Sequence, residues 1–367
     1  MKYYIIAGEA SGDLHASNLM KAIQEEDANA DFRFWGGDLM EHVGGTLVKH
    51  YKERAFMGFG EVIMNLRKIL GFISFCKKDI AQYQPDQLIF IDNSGFNLRI
   101  AKWAKKQGFR TNYYISPQVW ASRAGRVDAI KRDIDSMYVI LPFEDAFYKK
   151  YDYNAIFVGH PLLDAIADRP QVNGREFRTA HNLNEKPIIA LMPGSRKQEI
   201  TKMLSVMLIM VSKFKDYQFV IAGAPSQEHS FYKTFITDEN VKFITNKTYD
   251  LLSVSYAALV TSGTATLEAA LFKVPQVVCY KAGNISYQIA KRIITLKFIS
   301  LVNLIMDREV VTELIQHDFN EKRLEEELTK ILDKTHREQL FLDYFDLEQK
   351  LGGKGASAKA AKLIVNN

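Results

Sequence analysis

Residues 187–199 read PIIALMPGSRKQE, and this stretch contains the pattern that decides the fold. Ile188–Met192 is a short apolar run, long enough for a buried parallel strand. After the break that follows, Ser195 can cap a helix, in whose early turns an acid such as Glu199 is favoured. The turn would present backbone N–H groups and the cation of Arg196, so phosphate is the expected ligand. An ordinary solvated strand–helix turn is the alternative.

Length and composition are those of a globular protein. The 367 residues exceed one typical domain, which predicts two. A net charge of +5 with dispersed basic residues does not indicate nucleic-acid binding. Cys76 and Cys279 are too few for a disulfide framework or a metal cage, which fits a reducing cytosol. The apolar part of the opening segment, MKYYIIAGEASGD, is too short for a signal peptide, and no apolar run is long enough to predict a membrane-spanning helix.

Strand-like runs alternate with helix-like runs along both halves of the chain, which predicts parallel sheets in two domains. A polar linker at about 161–186 separates the halves. A helix is expected at Ile285–Ile294, and a largely helical tail at Asn320–Asn367. The predicted strands are Tyr3–Ala7, Phe32–Trp35, Gln87–Ile91, Arg110–Ile115, Ser136–Leu141, Ala155–Val158, Ile188–Met192, Gln218–Ala222, Val241–Ile244, Ala257–Thr261 and Gln276–Tyr280.

The loop after the first predicted strand reads GEASGD. It resembles the opening of a dinucleotide-binding unit but lacks the GxGxxG pattern and carries two acids, which argues against a pyrophosphate ligand. A hydroxyl-rich ligand such as a sugar suits it better. The candidate sugar-binding residues here are Glu9, Ser11, Gly12 and Asp13.

Phe56–Ile80 has apolar residues at helical spacing, with additional aromatic residues and a basic rim. One interpretation is an amphipathic helix that faces the core. The other is an apolar patch that touches acyl chains or an anionic membrane surface. The candidate contact residues are Phe56, Met57, Phe59, Ile63, Leu66, Arg67, Lys68, Leu70, Phe72 and Phe75.

Polar residues follow two of the predicted strands of the first half, where open α/β sheets bind ligands. Asp92 comes directly after one strand and is either a general base or a cap for the next helix, and Asn97 could orient it. The candidates for binding the acceptor sugar here are Asn97 and, in the loop after the following strand, Ser116, Gln118 and Trp120.

A second small-residue turn, SGTATLE, follows the strand at Ala257–Thr261. Like the turn at 193–196, it combines small residues and hydroxyls with a helix N-terminus. Glu268 could accept hydrogen bonds from a ribose diol, or it could merely stabilise the helix start. The two turns could hold the diphosphate and ribose of one nucleotide. The candidate residues are Gly194, Ser195, Arg196, Ser262, Gly263, Thr264, Ala265, Thr266 and Glu268.

The order of these motifs along the chain resembles that of the bacterial lipid-A-disaccharide synthases, and the resemblance covers nearly the whole chain. The motifs that carry it are Gly8–Asp13 (GEASGD), Met57-Gly58 with Glu61-Val62, Ser116-Pro117 with Val119–Ala121, Leu141–Glu144 (LPFE), Gly159–Leu162 (GHPL), Pro193–Arg196 (PGSR), Ser262–Glu268 (SGTATLE), Ser300-Leu301 with Asn303-Leu304, and Arg308–Val311 (REVV).

The resemblance implies an α/β architecture of the GT-B fold: two Rossmann-like domains with parallel sheets facing a central cleft. Residues 1–165 would form the acceptor and membrane-facing domain and 166–340 the UDP-sugar-binding domain. The C-terminal helices, 341–367, would pack back on the first domain or pair with a second subunit, which leaves a homodimer open. No cofactor and no metal are expected.

The resemblance also implies an inverting transfer of 2,3-diacylglucosamine from its UDP donor to 2,3-diacylglucosamine 1-phosphate (lipid X), a lipid acceptor. The product would be the β-1,6-linked disaccharide of lipid A. The enzyme would be peripheral on the cytoplasmic face of the inner membrane. Asp92 matches the base, Arg196 the diphosphate clamp and Glu268 the ribose contact, while His160 and Asn303 fall in motifs assigned to sugar binding.

Two positions depart from the family pattern. Gly95 stands where a second acid is usual, and Ser122 where a second tryptophan is usual. Two alternatives therefore stay open: another GT-B enzyme acting on a UDP-sugar, such as an epimerase or a muramyl-pathway transferase, and a non-catalytic protein that binds nucleotide sugars or lipids.

Overall fold

The computed structural model describes residues 1–54, 66–122, 124–225, 227–283, 287 and 296–367. They form two compact units. The first unit combines Met1–Arg169 with Leu351–Asn367, and the second is Pro170–Lys350. The chain therefore leaves the first unit once and returns to it at its C-terminal end.

Within the described residues, seven parallel strands form the sheet of the first unit. Their order is β3-β2-β1-β4-β5-β6-β7, so the chain starts in the middle of the sheet and builds outward to both edges. The strands are β1 (Lys2–Ala7), β2 (Asp31–Gly36), β3 (Thr46–His50), β4 (Gln87–Ile91), β5 (Thr111–Tyr114), β6 (Ser136–Val139) and β7 (Ala155–Phe157).

The second unit repeats this plan, with six parallel strands among the residues that the structure describes. Their order is β10-β9-β8-β11-β12-β13. The strands are β8 (Ile188–Met192), β9 (Gln218–Gly223), β10 (Lys242–Thr245), β11 (Ser255–Thr261), β12 (Gln276–Tyr280) and β13 (Glu313–Ile315).

Helices connect successive strands, as parallel pairing requires. In the first unit they are α1 (Ala10–Glu26), α2 (Asp38–Val43), α3 (Leu66–Tyr83), α4 (Ser94–Lys106), α5 (Val119–Ser122), α6 (Val127–Asp133), α7 (Glu144–Lys149) and α8 (Pro161–Ala167). In the second they are α9 (Gly174–Ala180), α10 (Lys197–Met207), α11 (Met210–Lys213), α12 (His229–Lys233), α13 (Thr248–Val254), α14 (Thr264–Leu271), α15 (Leu301–Met306), α16 (Glu321–Leu332) and α17 (Lys334–Lys350).

Helices on both faces explain why the central strands are apolar along their whole length. In β1, Tyr3 and Ile5 belong to one core cluster, whereas Tyr4 and Ile6 belong to the cluster on the opposite face. All four side chains are fully buried. The predicted parallel α/β architecture is confirmed.

Two edge strands were not predicted. β3 is half-exposed and carries lysine and histidine, so it has no continuous apolar run. β13 has only three residues and begins with Glu313. The helix predicted at Ile285–Ile294 lies outside the described residues apart from Tyr287.

A partly buried ion pair attaches α3 to the sheet. The guanidinium of Arg33 donates two hydrogen bonds to the carboxylate of Asp79, at 2.6 and 2.9 Å. The hydroxyl of Tyr4 donates to the same carboxylate at 2.7 Å and accepts the indole N–H of Trp35. These contacts fix the orientation of α3, because they hold one face of it against β1 and β2.

The C-terminal helix α18 (Ala356–Val365) packs on α1, in the first unit. The carboxylate of Asp164 in α8 accepts the backbone N–H groups of Gly355 and Ser357, at 2.6 and 2.9 Å. Asp164 therefore caps α18 from a distant part of the chain. Within the ranges described above, no helix is both long enough and apolar enough to span a bilayer.

Asp164→Ala should loosen α18. It removes a buried acceptor from two helix N-terminal donors, so the helix should lose about 1–2 kcal/mol of local stability. Native-state hydrogen exchange of Ala356–Val365 measures this as faster exchange. Asp168→Ala is the matched control, since it removes only the exposed pair of Asp168 with Lys354. Equal exchange in the two variants would contradict the capping role.

Candidate functional site

The carboxyl edge of the first sheet brings together two of the predicted loops. β1 and β4 are neighbours, with Ala7 paired to Ile91, so the segments that follow them lie side by side. Gly8 contacts Asn93 so closely that a Cβ at position 8 would lie 2.2 Å from the Asn93 side-chain nitrogen. A glycine is therefore required where these loops meet.

The turn that carries Asp92 has an unusual backbone. Asp92 and Asn93 both have φ of +44°, in the left-handed region that Asp and Asn tolerate better than other side chains. The buried amide of Asn97 donates to the carbonyl of Asp92 at 2.9 Å and to that of Ile91 at 3.1 Å. The hydroxyl of Tyr113 also donates to the Asp92 carbonyl. Asn97 thus holds the backbone of this turn, and its predicted sugar contact stays a prediction.

The surroundings of the Asp92 carboxyl favour a base. Asp92 reaches solvent, but neighbouring protein desolvates its carboxyl and raises the pKa above the ordinary value. The negative charge of Glu9 raises this pKa further. Asp92 therefore has a second acid beside it, supplied by the loop after β1 instead of by position 95, where the sequence has glycine.

Asp13, in the first turn of α1, which begins directly after Glu9, has a structural role. Its carboxylate is buried and accepts backbone N–H groups of Gly37, Leu39 and Met40, at 2.8 to 3.2 Å. Asp13 thereby caps the start of α2. The sugar contact that the sequence predicted for Asp13 stays a prediction. Gly12 is buried as well, whereas Glu9 and Ser11 are exposed.

His160 and Asn303 are also buried in structural roles. His160 caps α8 by accepting the N–H of Leu162, and burial lowers its pKa to about 3, so the imidazole is neutral. Asn303, in the second unit, donates to the Val311 carbonyl and to Glu313 and accepts the N–H groups of Val310 and Val311. These hydrogen bonds give His160 and Asn303 roles in the fold, and their sugar-binding roles stay predictions.

The loop after β5 has buried and accessible members. Ser116 is buried, and its hydroxyl lies 2.6 Å from that of Tyr148. Gln118 is exposed, and Trp120 is partly exposed, with its indole N–H donated to Glu144 at 3.2 Å. Sequence reasoning quoted Glu144 only as part of the LPFE motif and gave it no role.

The two predicted nucleotide turns meet at the carboxyl edge of the second sheet. β8 pairs with β11, and Met192 lies opposite Val260, so both turns leave adjacent strands. A Cβ at Gly194, whose φ is +104°, would lie 3.6 Å from the methyl group of Thr261. Proximity of the turns at 193–196 and 262–268 thus follows from strand pairing.

The first turn differs in detail from its prediction. Helix α10 begins at Lys197, so the residue at the helix boundary is Arg196 and not Ser195. Glu199 accepts the backbone N–H of Arg196 at 3.4 Å and pairs with its guanidinium at 2.9 Å. The Arg196 side chain is 81% exposed, which leaves its cation accessible to an anion.

The second turn places a carboxylate behind a helix N-terminus. Glu268 is partly buried, burial raises its pKa, and it accepts the Tyr249 hydroxyl at 3.1 Å. The hydroxyl of Ser262 donates to the Ile299 carbonyl, and that of Thr266 to Gly263. These two hydroxyls stabilise the turn itself. Thr264 is exposed at the first position of α14 and Ala265 is partly exposed beside it. Tyr249 was missed by sequence reasoning, which had no local signal for it.

Helix α3 has two distinct faces. Ile73, Cys76 and Ile80 are buried on the inner face. On the outer face Leu70 is 56% and Phe75 44% exposed, beside the exposed Arg67 and Lys68. Phe72 is partly buried against the core. Phe56, Met57, Phe59 and Ile63 lie outside the described residues, as does the side chain of Leu66.

A metal centre has no ligand set in the part of the chain that the structure describes. No group of three or more His, Cys, Asp or Glu side chains there is arranged to hold a metal ion. Asp133 and Asp135, two acids separated by one residue, each form an ion pair. Arg132 pairs with Asp133, and Lys105 pairs with Asp135.

Solved structures of sugar-nucleotide enzymes share this architecture. UDP-GlcNAc 2-epimerase from Neisseria meningitidis, bound to UDP-GlcNAc, matches with a TM-score of 0.70 and 12% identity over 100% of both chains. The glycotransferase of kitacinnamycin matches with a TM-score of 0.65 and 13% identity over 100% of this chain and 98% of the other. At such identities the likeness shows the fold, which is GT-B as predicted.

Sequence comparison identifies the family within this fold. The model of the lipid-A-disaccharide synthetase family matches residues 3–364. The lipid-A-disaccharide synthase of Syntrophus aciditrophicus is 38% identical over 98% of this chain and 96% of its own length. That of Coxiella burnetii is 35% identical, over 99% and 97%. The chain belongs to the lipid-A-disaccharide synthetase family.

Replacing Asp92 with asparagine should stabilise the protein, and the gain in stability should grow as pH rises. The unfolded carboxyl ionises near its ordinary pKa, whereas the folded one keeps its proton to higher pH, so ionisation opposes folding above the unfolded value. Asp92→Asn should therefore raise the unfolding midpoint more at about pH 8 than at about pH 5. In a Glu9→Gln background the gain should be smaller, since one cause of the raised pKa is gone. Urea unfolding at both pH values measures this, and a gain independent of pH would contradict it.

Proposed function

We propose that this protein joins UDP-2,3-diacylglucosamine to 2,3-diacylglucosamine 1-phosphate (lipid X), releasing UDP and the β-1,6-linked disaccharide of lipid A. The observation that carries the proposal is membership of the lipid-A-disaccharide synthetase family over residues 3–364. The likeness to UDP-sugar epimerases is a likeness of fold only, at 12% identity, and does not favour epimerase chemistry.

Asp92 serves as the general base in this proposal. It accepts the proton of the acceptor hydroxyl as that oxygen attacks the anomeric carbon of the donor, and the bond to UDP breaks on the opposite side. One displacement of this kind inverts the configuration from α in the donor to β in the product. Desolvation and the charge of Glu9 both raise the pKa of Asp92, which strengthens it as a proton acceptor.

The paired turns of the second unit hold the leaving nucleotide. The N-terminus of α14 and the exposed cation of Arg196 stabilise the negative charge that develops on the diphosphate. Glu268 accepts hydrogen bonds from the ribose hydroxyls, with its carboxylate oriented by Tyr249. In this scheme the first unit takes the lipid acceptor.

The outer face of α3 meets the lipid substrates at the membrane surface. Both proposed substrates carry acyl chains, so the enzyme must reach them at a bilayer. Exposed Leu70 and Phe75 would enter the interface, and Arg67 and Lys68 would attract anionic headgroups. We place the enzyme peripherally on the inner face of the inner membrane.

Purified protein should release UDP from UDP-2,3-diacylglucosamine only when lipid X is added. Asp92→Asn should lower turnover at least about a hundredfold and leave the UDP dissociation constant nearly unchanged, because it removes only proton transfer. Arg196→Ala should weaken both UDP binding and turnover. Coupled UDP detection and calorimetric titration of UDP measure the two quantities.

Lys197→Ala is the control for Arg196, since it removes an adjacent exposed cation that lies over the Phe231 ring. It should leave UDP binding unchanged. UDP release without lipid X would overturn the proposed activity and favour another enzyme that acts on a UDP-sugar. Binding of UDP with no turnover under any condition would overturn it in favour of a non-catalytic nucleotide-sugar-binding protein.

Phe75→Glu should weaken binding to anionic vesicles. The substitution removes an exposed ring and adds a negative charge near the basic rim, so the vesicle partition coefficient should fall several-fold. Ser74→Glu adds the same charge at the neighbouring exposed position and is the matched control. Co-sedimentation with phosphatidylglycerol vesicles measures both variants. Equal loss in the two would show that charge alone, and not the apolar face, governs binding.

A further inference from the structure

Glu144 is a buried acid that the reaction proposed above does not use. It is the first residue of α7, directly beyond β6, and only 1% of its surface is exposed. A carboxyl group so removed from water must be compensated by hydrogen bonds. Its partners therefore show what the group is for.

The Glu144 carboxylate connects two neighbouring loops. One oxygen accepts the backbone N–H groups of Ile140 and Leu141, at 3.2 and 2.9 Å, where β6 ends. The other accepts the indole N–H of Trp120 at 3.2 Å, in α5, the short helix that follows β5. Because β5 and β6 are adjacent parallel strands, the segments that follow them both lie at the carboxyl edge of the first sheet.

Two more contacts restrain the same loop. The indole ring of Trp120 meets the ring of Phe143 edge to face, with centroids 5.0 Å apart. The Ser116 hydroxyl lies 2.6 Å from that of Tyr148, which belongs to α7. Phe143, just before α7, and Tyr148, near its end, thus contact the Ser116–Trp120 segment at its two ends, and part of Trp120 is exposed.

We propose that Glu144 is a positioning residue, which fixes the indole of Trp120 as a contact surface for the acceptor at the carboxyl edge of the first sheet. This inference rests on the proposed function for the identity of the acceptor. The physical basis is geometric. The Glu144 carboxylate accepts the two backbone N–H groups at the end of β6 and the indole N–H, so it fixes the position of the indole relative to the end of β6.

The protonation state of Glu144 should control this contact. Burial raises its pKa to about 7, and the hydrogen bonds from Leu141, Ile140, Trp120 and Ser116 oppose that shift. A protonated carboxyl places a hydrogen toward one of the surrounding donors, so one hydrogen bond is lost. Among the described residues, the titratable group that faces Glu144 is Tyr148, which stays protonated because burial raises its own pKa.

Glu144→Gln tests the proposal, since an amide keeps the size of the side chain and imitates the protonated acid. It should raise the KM for lipid X about tenfold, with a smaller change in kcat and an unchanged KM for the UDP-sugar. In a Trp120→Phe background, which lacks the indole donor, the same substitution should have little further effect on the KM for lipid X. Additive effects of the two substitutions would contradict the proposal.

Fluorescence provides a test that does not depend on turnover. The difference between the emission of the wild type and that of Trp120→Phe isolates Trp120 from Trp35 and Trp103. It should shift between about pH 8 and about pH 6, on either side of the Glu144 pKa, and Glu144→Gln should abolish the shift. Emission independent of pH in the wild type would overturn the inference, even if Glu144→Gln fails to fold. Failure to form disaccharide would instead overturn the proposed function.

Discussion

Parallel pairing of neighbouring strands is the constraint on which the candidate residues of each unit depend. Pairing of β1 with β4 sets Glu9 beside Asp92, and pairing of β8 with β11 sets the turn of Arg196 beside that of Glu268. In each sheet the carboxyl ends meet at one edge, so residues far apart in sequence become neighbours without any long-range motif. The chemistry of each edge is then decided by what the short turns contain.

The sequence predicted the elements that follow from local pattern. Apolar runs such as Ile188–Met192 predicted the buried strands, because a strand covered on both faces needs apolar residues throughout. Small residues at Gly194 and Gly263 predicted the turns, and the alternation of strands and helices predicted the parallel sheets. The ordered motifs identified the family, which the comparisons confirmed.

Roles that depend on distant hydrogen bonds could not be predicted. Asp13 has the local context of a ligand, but its three donors lie beyond Gly36 in another segment. Asn303 and His160 lie in family motifs and form hydrogen bonds that hold the fold, and a motif does not say which way a side chain points. The role of Glu144 could not be predicted either. Its partner, the indole of Trp120, lies in the segment after the preceding strand, and the LPFE motif does not indicate that contact.

The return of the C-terminal helix to the first unit has a consequence for biosynthesis. Ala360, Ala361 and Ile364 belong to the core cluster that contains Tyr3 and Leu19, so this core joins residues that the whole second unit separates in the sequence. Most of the first unit leaves the ribosome long before this core can be completed. The surface of α1 that α18 covers therefore stays exposed in the nascent chain while the whole second unit is synthesised. It is covered only after α18 has been made.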